Sequence, residues 1–135
     1  MDYHIAVCDD CAADADFAAD CAAQWAQRLG YTAEILRFPS AEAFLFQYAE
    51  DKRCDILLLD VEMPGLNGVE LAKRIRQKNK ALQIVFITGY TDYIAEGYDV
   101  SALHYLVKPV SREKLFTVLD RAAERLHSAE RTLLL

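Results

Sequence analysis

Along the chain, five short apolar runs alternate with longer stretches in which apolar residues return every three or four positions. The runs at 4–8, 33–38, 55–60, 83–88 and 104–108 predict strands. The stretches at 14–29, 40–50, 67–79, 92–98 and 111–127 predict helices. Ile56 to Leu59 is apolar without alternation, as a strand buried on both faces requires, whereas the more polar run at 33–38 suits a sheet edge. Gly30 and Pro109 are stop signals, Ser40 is a helix N-cap, and Met63-Pro64-Gly65 is a turn. In the first helix, Phe17, Cys21 and Trp25 stand four apart and predict its buried face. Leu71, Ala72 and Ile75 do so for the third helix; Leu115, Val118, Leu119, Ala122 and Leu126 do so for the last.

Regular alternation of strand and helix implies a parallel sheet, right-handed crossovers and helices on both faces. Ligands of such sheets bind beyond the carboxyl ends of the central strands. Those ends carry Asp9 and Asp10, then Asp60, Thr88 and Lys108. Each alone reads as a cap, a strand residue or a solvated ammonium; at corresponding positions they read as one site. Clustered carboxylates repel, and a hard cation relieves them; carboxylates, a backbone carbonyl and waters suit Mg²⁺. With that cation on one side and Lys108 on the other, charge on a transferring phosphoryl group is neutralised from two directions. Asp60 ends the most buried strand and is the candidate nucleophile.

Composition narrows the choices. The 135 residues suit one domain, expected over 1–128, with 129–135 the start of a linker or tail. A net charge of -6 argues against non-specific binding to nucleic acid or an anionic membrane. No apolar run is long enough to span a membrane and no signal-peptide pattern opens the chain, so a cytoplasmic location is expected. Cys8-x-x-Cys11 invites a zinc or redox reading, but His4, His104 and His127 are scattered, and Asp9 and Asp10 disfavour a thiolate. Cys8, Cys11, Cys21 and Cys54 are therefore read as buried or half-buried free thiols.

The set Asp9-Asp10, Asp60-x-x-Met63-Pro64-Gly65-x-x-Gly68, Thr88 and Lys108-Pro109 resembles the receiver domain of two-component response regulators, over essentially the whole chain. The resemblance implies an α/β fold: a doubly wound, flavodoxin-like parallel sheet of five strands in the order 2-1-3-4-5, with five helices. It implies Asp60 as the phosphoacceptor, served by a sensor histidine kinase. Asp10 would bind Mg²⁺ directly, Asp9 mainly through water, and the Glu62 carbonyl would be a further ligand. Lys108 would contact the phosphoryl oxygens and Thr88 would hydrogen-bond to the phosphoryl group. Tyr105 matches a switch aromatic; the residues alone leave it equally a half-buried strand aromatic with its hydroxyl in water. The Lys108–Pro109 bond is expected cis. The Glu62 side chain adds negative charge beside the pocket. Such a protein is a signalling switch and not a turnover enzyme.

The segment from Thr88 to Pro109, with Ala102-Leu103-x-Tyr105-Leu106-x-Lys108-Pro109, resembles receivers that precede a LytTR-type DNA-binding domain. Contact with DNA is then expected through an effector domain absent from this chain, which ends on Leu133-Leu134-Leu135 as if cut at the domain boundary. A stand-alone receiver is the alternative. Tyr90, Tyr93 and Tyr98, with Arg112, Arg121, Arg125, Glu113, Asp120 and Glu124, read either as a solvated face or as a homodimer surface of fourth helix, fifth strand and fifth helix. Two rivals remain: a pseudo-receiver that keeps the fold without cycling, and an aspartate-nucleophile phosphatase. The latter class places an Asp-x-Asp pair after its first strand and carries a cap insertion, neither of which is seen here.

Overall fold

The computed structural model describes residues 2–134, with side chains through residue 128. The elements are β1 (Asp2–Cys8), α1 (Ala12–Leu29), β2 (Thr32–Phe38), α2 (Ala41–Glu50), β3 (Ile56–Leu59), α3 (Gly68–Arg76), β4 (Gln83–Thr88), α4 (Ile94–Asp99), β5 (His104–Val107) and α5 (Arg112–Leu134). All strand pairs are parallel, in the order β2-β1-β3-β4-β5, which puts the polar second strand at an edge as its composition predicts.

Alternation of side chains along each strand divides the core into two layers. Ile5, Val7, Leu58, Val85 and Ile87 face α1 and α5, while Ala6, Cys8, Leu59, Ile84 and Phe86 face α2 and α3. Helix starts follow local chemistry. Ser40 Oγ accepts from the Ala43 N–H, and Asn67 and Glu70 close a reciprocal capping box at the head of α3. Gly30 ends α1 in the left-handed conformation at φ 73°.

The buried face of α1 departs from the expectation. Ala15, Ala18, Ala19, Ala22 and Ala26 lie against the sheet with Cys21 and Trp25, and Phe17 is 40% exposed. A stripe of alanines lets the helix approach the strands closely, which rotates Phe17 to the rim. Helix α3 stops earlier than 79, and α5 continues past 127 to Leu134, where no Gly or Pro interrupts it. The tail expected from 129 lies outside the residues whose side chains are described.

Register positions the site. Cys8 lies level with Leu59, and Leu59 with Phe86, so Asp9 and Asp60 emerge side by side; the Asp60 N–H donates to the Cys8 carbonyl at 2.9 Å. Thr88 lies level with Val107, and the Lys108 N–H donates to the Thr88 carbonyl at 2.8 Å.

Candidate functional site

At the carboxyl edge of the sheet, Asp9, Asp10 and Asp60 each present a carboxylate oxygen within 4.8 Å of the others. Asp9 and Asp60 are buried and Asp10 is exposed. This spacing is close to the ~4 Å between opposite oxygens around an octahedral Mg²⁺. A cleft of about 570 Å³ opens beside them, floored by Val7, Leu58, Ile87 and Leu115.

The β3–α3 loop is shaped by close packing. A Cβ on Gly68 would stand 2.0 Å from the Asp60 carbonyl oxygen, so only glycine allows the chain to turn back there. Gly68 N–H donates to the Val61 carbonyl at 2.8 Å, and Glu42 of α2 braces the loop by accepting from the Leu66 N–H at 2.9 Å.

Asp60 accepts from the Val61 N–H at 2.9 Å and from the Thr88 hydroxyl. Burial, then the Asp9 charge, pushes its carboxyl above the usual 3.8; the Thr88 hydrogen bond, Lys108 and the Val61 N–H only partly offset this. Asp9 accepts from the Cys11 N–H at 2.9 Å through Oδ1, and from Lys108 through Oδ2. Lys108 Nζ lies 2.9 Å from Asp9, 2.7 Å from Asp14 and 3.6 Å from Asp60. Burial pulls its ammonium down, but the hydrogen bonds to Asp14 and Asp9 and the Asp60 charge outweigh it and hold Lys108 firmly protonated.

Asp14, in the first turn of α1, is the residue that reading the strand ends misses. Its position on a helix, five residues beyond Asp9, hides it from a rule that inspects only strand ends. Proximity in the folded chain is the only signal that finds it.

Thr88 is fully buried, and its Oγ1 accepts from the Tyr90 N–H at 3.3 Å. The Tyr90 carbonyl in turn accepts from the Tyr105 hydroxyl. Tyr105 is half-buried, its ring 5.6 Å from that of Phe86, and its exposed hydroxyl is bonded to backbone. A continuous path thus runs from Asp60 through Thr88 and Tyr90 to β5. Glu62 is exposed and accepts from the Tyr93 hydroxyl at 2.9 Å, which ties the β3–α3 loop to the segment before α4. The Lys108–Pro109 peptide is cis.

The remaining sequence candidates separate. Cys8 is buried against Met63, and burial, reinforced by Asp9 and Asp60, pushes its thiol up to about 12; Cys11 is exposed. All four cysteines are free. Tyr90, Ile94 and Tyr98 are exposed in and before α4, and Val107 is exposed on β5. Asp120 is exposed, and it accepts from the Trp25 indole N–H at 2.8 Å where α5 packs on α1. Arg121 pairs with His104 at 2.8 Å. Among the described residues, no helix is long and apolar enough to cross a membrane.

Comparison with known proteins adds an independent observation. The sequence model described as "Response regulator receiver domain" matches residues 5–120. The Sensory transduction protein LytT of Oceanobacillus iheyensis is 34% identical over 97 residues, which cover 69% of this chain and 39% of that protein. LytT of Bacillus subtilis is 37% identical over 76 residues, covering 56% of this chain and 32% of the relative. The chain therefore spans well under half the length of these curated relatives. Among solved structures, the REC domain of AraT, a response regulator from Geobacillus stearothermophilus, superposes with a TM-score of 0.82 at 24% identity, covering 96% of this chain and 99% of that one.

Proposed function

The chain belongs to the response regulator receiver domain family, and we propose that within it Asp60 accepts a phosphoryl group from a sensor histidine kinase in a Mg²⁺-dependent transfer. The observation that carries this reading is the convergence of three carboxylates within 4.8 Å, with the Lys108 ammonium 3.6 Å from Asp60.

In the proposed transfer, an Asp60 carboxylate oxygen attacks phosphorus as the P–N bond of a phosphohistidine breaks, and the electron pair leaves with the imidazole. Register holds Asp60 beside Asp9, and the Val61 N–H and Thr88 hydroxyl fix the carboxylate. Lys108 offers its charge to the developing phosphoryl oxygens. The donor set is all oxygen, and four carboxylates (Asp9, Asp10, Asp14, Asp60) face one ammonium, so a hard divalent cation fits. Asp10, Asp60 and the Glu62 carbonyl would hold Mg²⁺ directly, with Asp9 acting mainly through water; when bound, the ion would neutralise charge on the phosphoryl group.

Thr88, Tyr90 and Tyr105 would carry the altered charge of Asp60 to the β5 surface by shifting an existing equilibrium. The output reading is dimerisation through α4, β5 and α5, or control of a LytTR-type DNA-binding effector; LytT relatives and the exposed Tyr90 and Tyr98 support it. On this reading residues 1–128 are the receiver and the effector belongs to the remaining length of the full protein.

The test is mass spectrometry after incubation with acetyl phosphate and Mg²⁺. One added phosphoryl group is expected, lost in Asp60→Ala and on chelation; addition that persists in Asp60→Ala overturns the assignment. Beryllofluoride, standing in for the phosphoryl group, should change the oligomeric state if the dimer reading holds.

A further inference from the structure

The Lys108 ammonium has three N–H donors. Two are engaged: one with Asp9 Oδ2 at 2.9 Å and one with Asp14 Oδ2 at 2.7 Å. The Asp60 oxygen nearest to it lies at 3.6 Å, beyond hydrogen-bond length. In this arrangement the shortest partner of Lys108 lies on α1, outside the strand ends that carry Asp9 and Asp60. We propose that Asp14 is a positioning residue that holds the Lys108 ammonium away from Asp60 and so slows phosphorylation.

The two partners of Lys108 differ in what else they do. Asp9 belongs to the carboxylate cluster and receives the Cys11 N–H as well, so its charge is shared. Asp14 lies outside that cluster; the lysine hydrogen bond is the first cause of its lowered pKa, and a hydrogen bond with Cys11 is the least. A cation in the cluster draws on Asp9 and repels Lys108, which leaves Asp14 as the group that retains the ammonium. Lys108 keeps one N–H for a phosphoryl oxygen, but the Asp14 and Asp9 contacts fix where the ammonium stands, 3.6 Å from Asp60. The Asp14 carboxylate is 45% exposed, so the hold is moderated by water and can yield to a doubly charged phosphoryl group.

This inference rests on Asp60 being the acceptor. The experiment is the rate of Mg²⁺-dependent phosphorylation by acetyl phosphate, followed by mass, in the wild type, Asp14→Asn, Asp14→Glu, Lys108→Gln and the double variant Asp14→Asn/Lys108→Gln. Asp14→Asn should react about fivefold faster, and Asp14→Glu should stay near the wild-type rate, since it keeps a carboxylate for the ammonium. The gain should vanish in the Lys108→Gln background, because there is no ammonium left to release. A gain of the same size in that background would mean that Asp14 acts only by repelling the anionic donor, and it would overturn the proposal. An unchanged or slower Asp14→Asn with a wild-type melting curve would also overturn it. Failure of the wild type to be phosphorylated at all would instead sink the acceptor assignment of Asp60.

Discussion

The two ends of the sheet both carry charge, and they handle it in opposite ways. At the amino edge, Arg53 forms a fork with Asp51, two residues away, with Nη2 to Oδ2 at 2.7 Å. The Arg53 hydrogen bond holds the Asp51 carboxyl down to about 2. Nearby, Asp55 accepts from the His4 N–H at 2.8 Å. At the carboxyl edge, Lys108 is paired with groups 94 and 99 positions away, and Asp60 is pushed up by burial. One side chain type therefore shows shifts of opposite sign at the two ends of one sheet. Where a charge is satisfied by its own neighbours, in water, it is structural decoration. Where folding gathers more carboxylates than cations into a partly buried rim, the imbalance is a capacity to bind and react.

The sharpest way to break this comparison is to remove the cation from each end. Lys108→Ala should slow phosphorylation by acetyl phosphate about 100-fold, the scale for losing one preorganised charge in a site, while Arg53→Ala should leave the rate unchanged. Equal rates in the two variants would refute the functional asymmetry.

Backbone crowding offers a second contrast, read in urea melts. Gly68→Ala forces a Cβ to 2.0 Å from the Asp60 carbonyl and should cost about 3 kcal/mol or prevent folding. Gly30→Ala, at φ +73° with open space around it, should cost about 1 kcal/mol.

A smaller effect tests the electrostatic imbalance itself. The folded pKa of Asp60 lies above its ordinary value of 3.8, so its stabilising contribution is complete below that value and is lost as pH rises through the raised one. At neutral pH without divalent cation, Asp60→Asn should therefore be more stable than the wild type in a urea melt. Addition of Mg²⁺ should stabilise the wild type more than the variant. A destabilised variant would mean that Lys108 and Thr88 outweigh burial.

The smallest expected effect belongs to the amino edge. Asp51 has its pKa lowered, so its contribution is present above 3.8 and falls away only as pH drops towards about 2. Because Asp51 and Arg53 meet in solvent, Asp51→Asn should leave the melting temperature at pH 7 unchanged; a clear loss would show that this pair is more than a surface ion pair.

Much of this molecule is decided by short-range rules. Unbroken apolarity from Ile56 to Leu59, the polar run in β2, the Ser40 cap and the Gly30 stop each act over a few residues, and each is legible without a structure. Strand ends follow from them, so Asp9, Asp10, Asp60, Thr88 and Lys108 could be gathered on one rim by the geometry of parallel sheets alone. What only the tertiary structure decided is how those side chains spend their bonds. The alanine face of α1 sets its distance and rotation, which exposes Phe17 and carries Asp14 to Lys108. The packing of α5 on α1 gives the Trp25 indole N–H an acceptor in Asp120, and the approach of β5 to the segment after β4 gives the Tyr105 hydroxyl a carbonyl partner. Hydrogen bonds and ion pairs at such separations depend on interatomic distances that arise only when distant elements pack, and no local period encodes them.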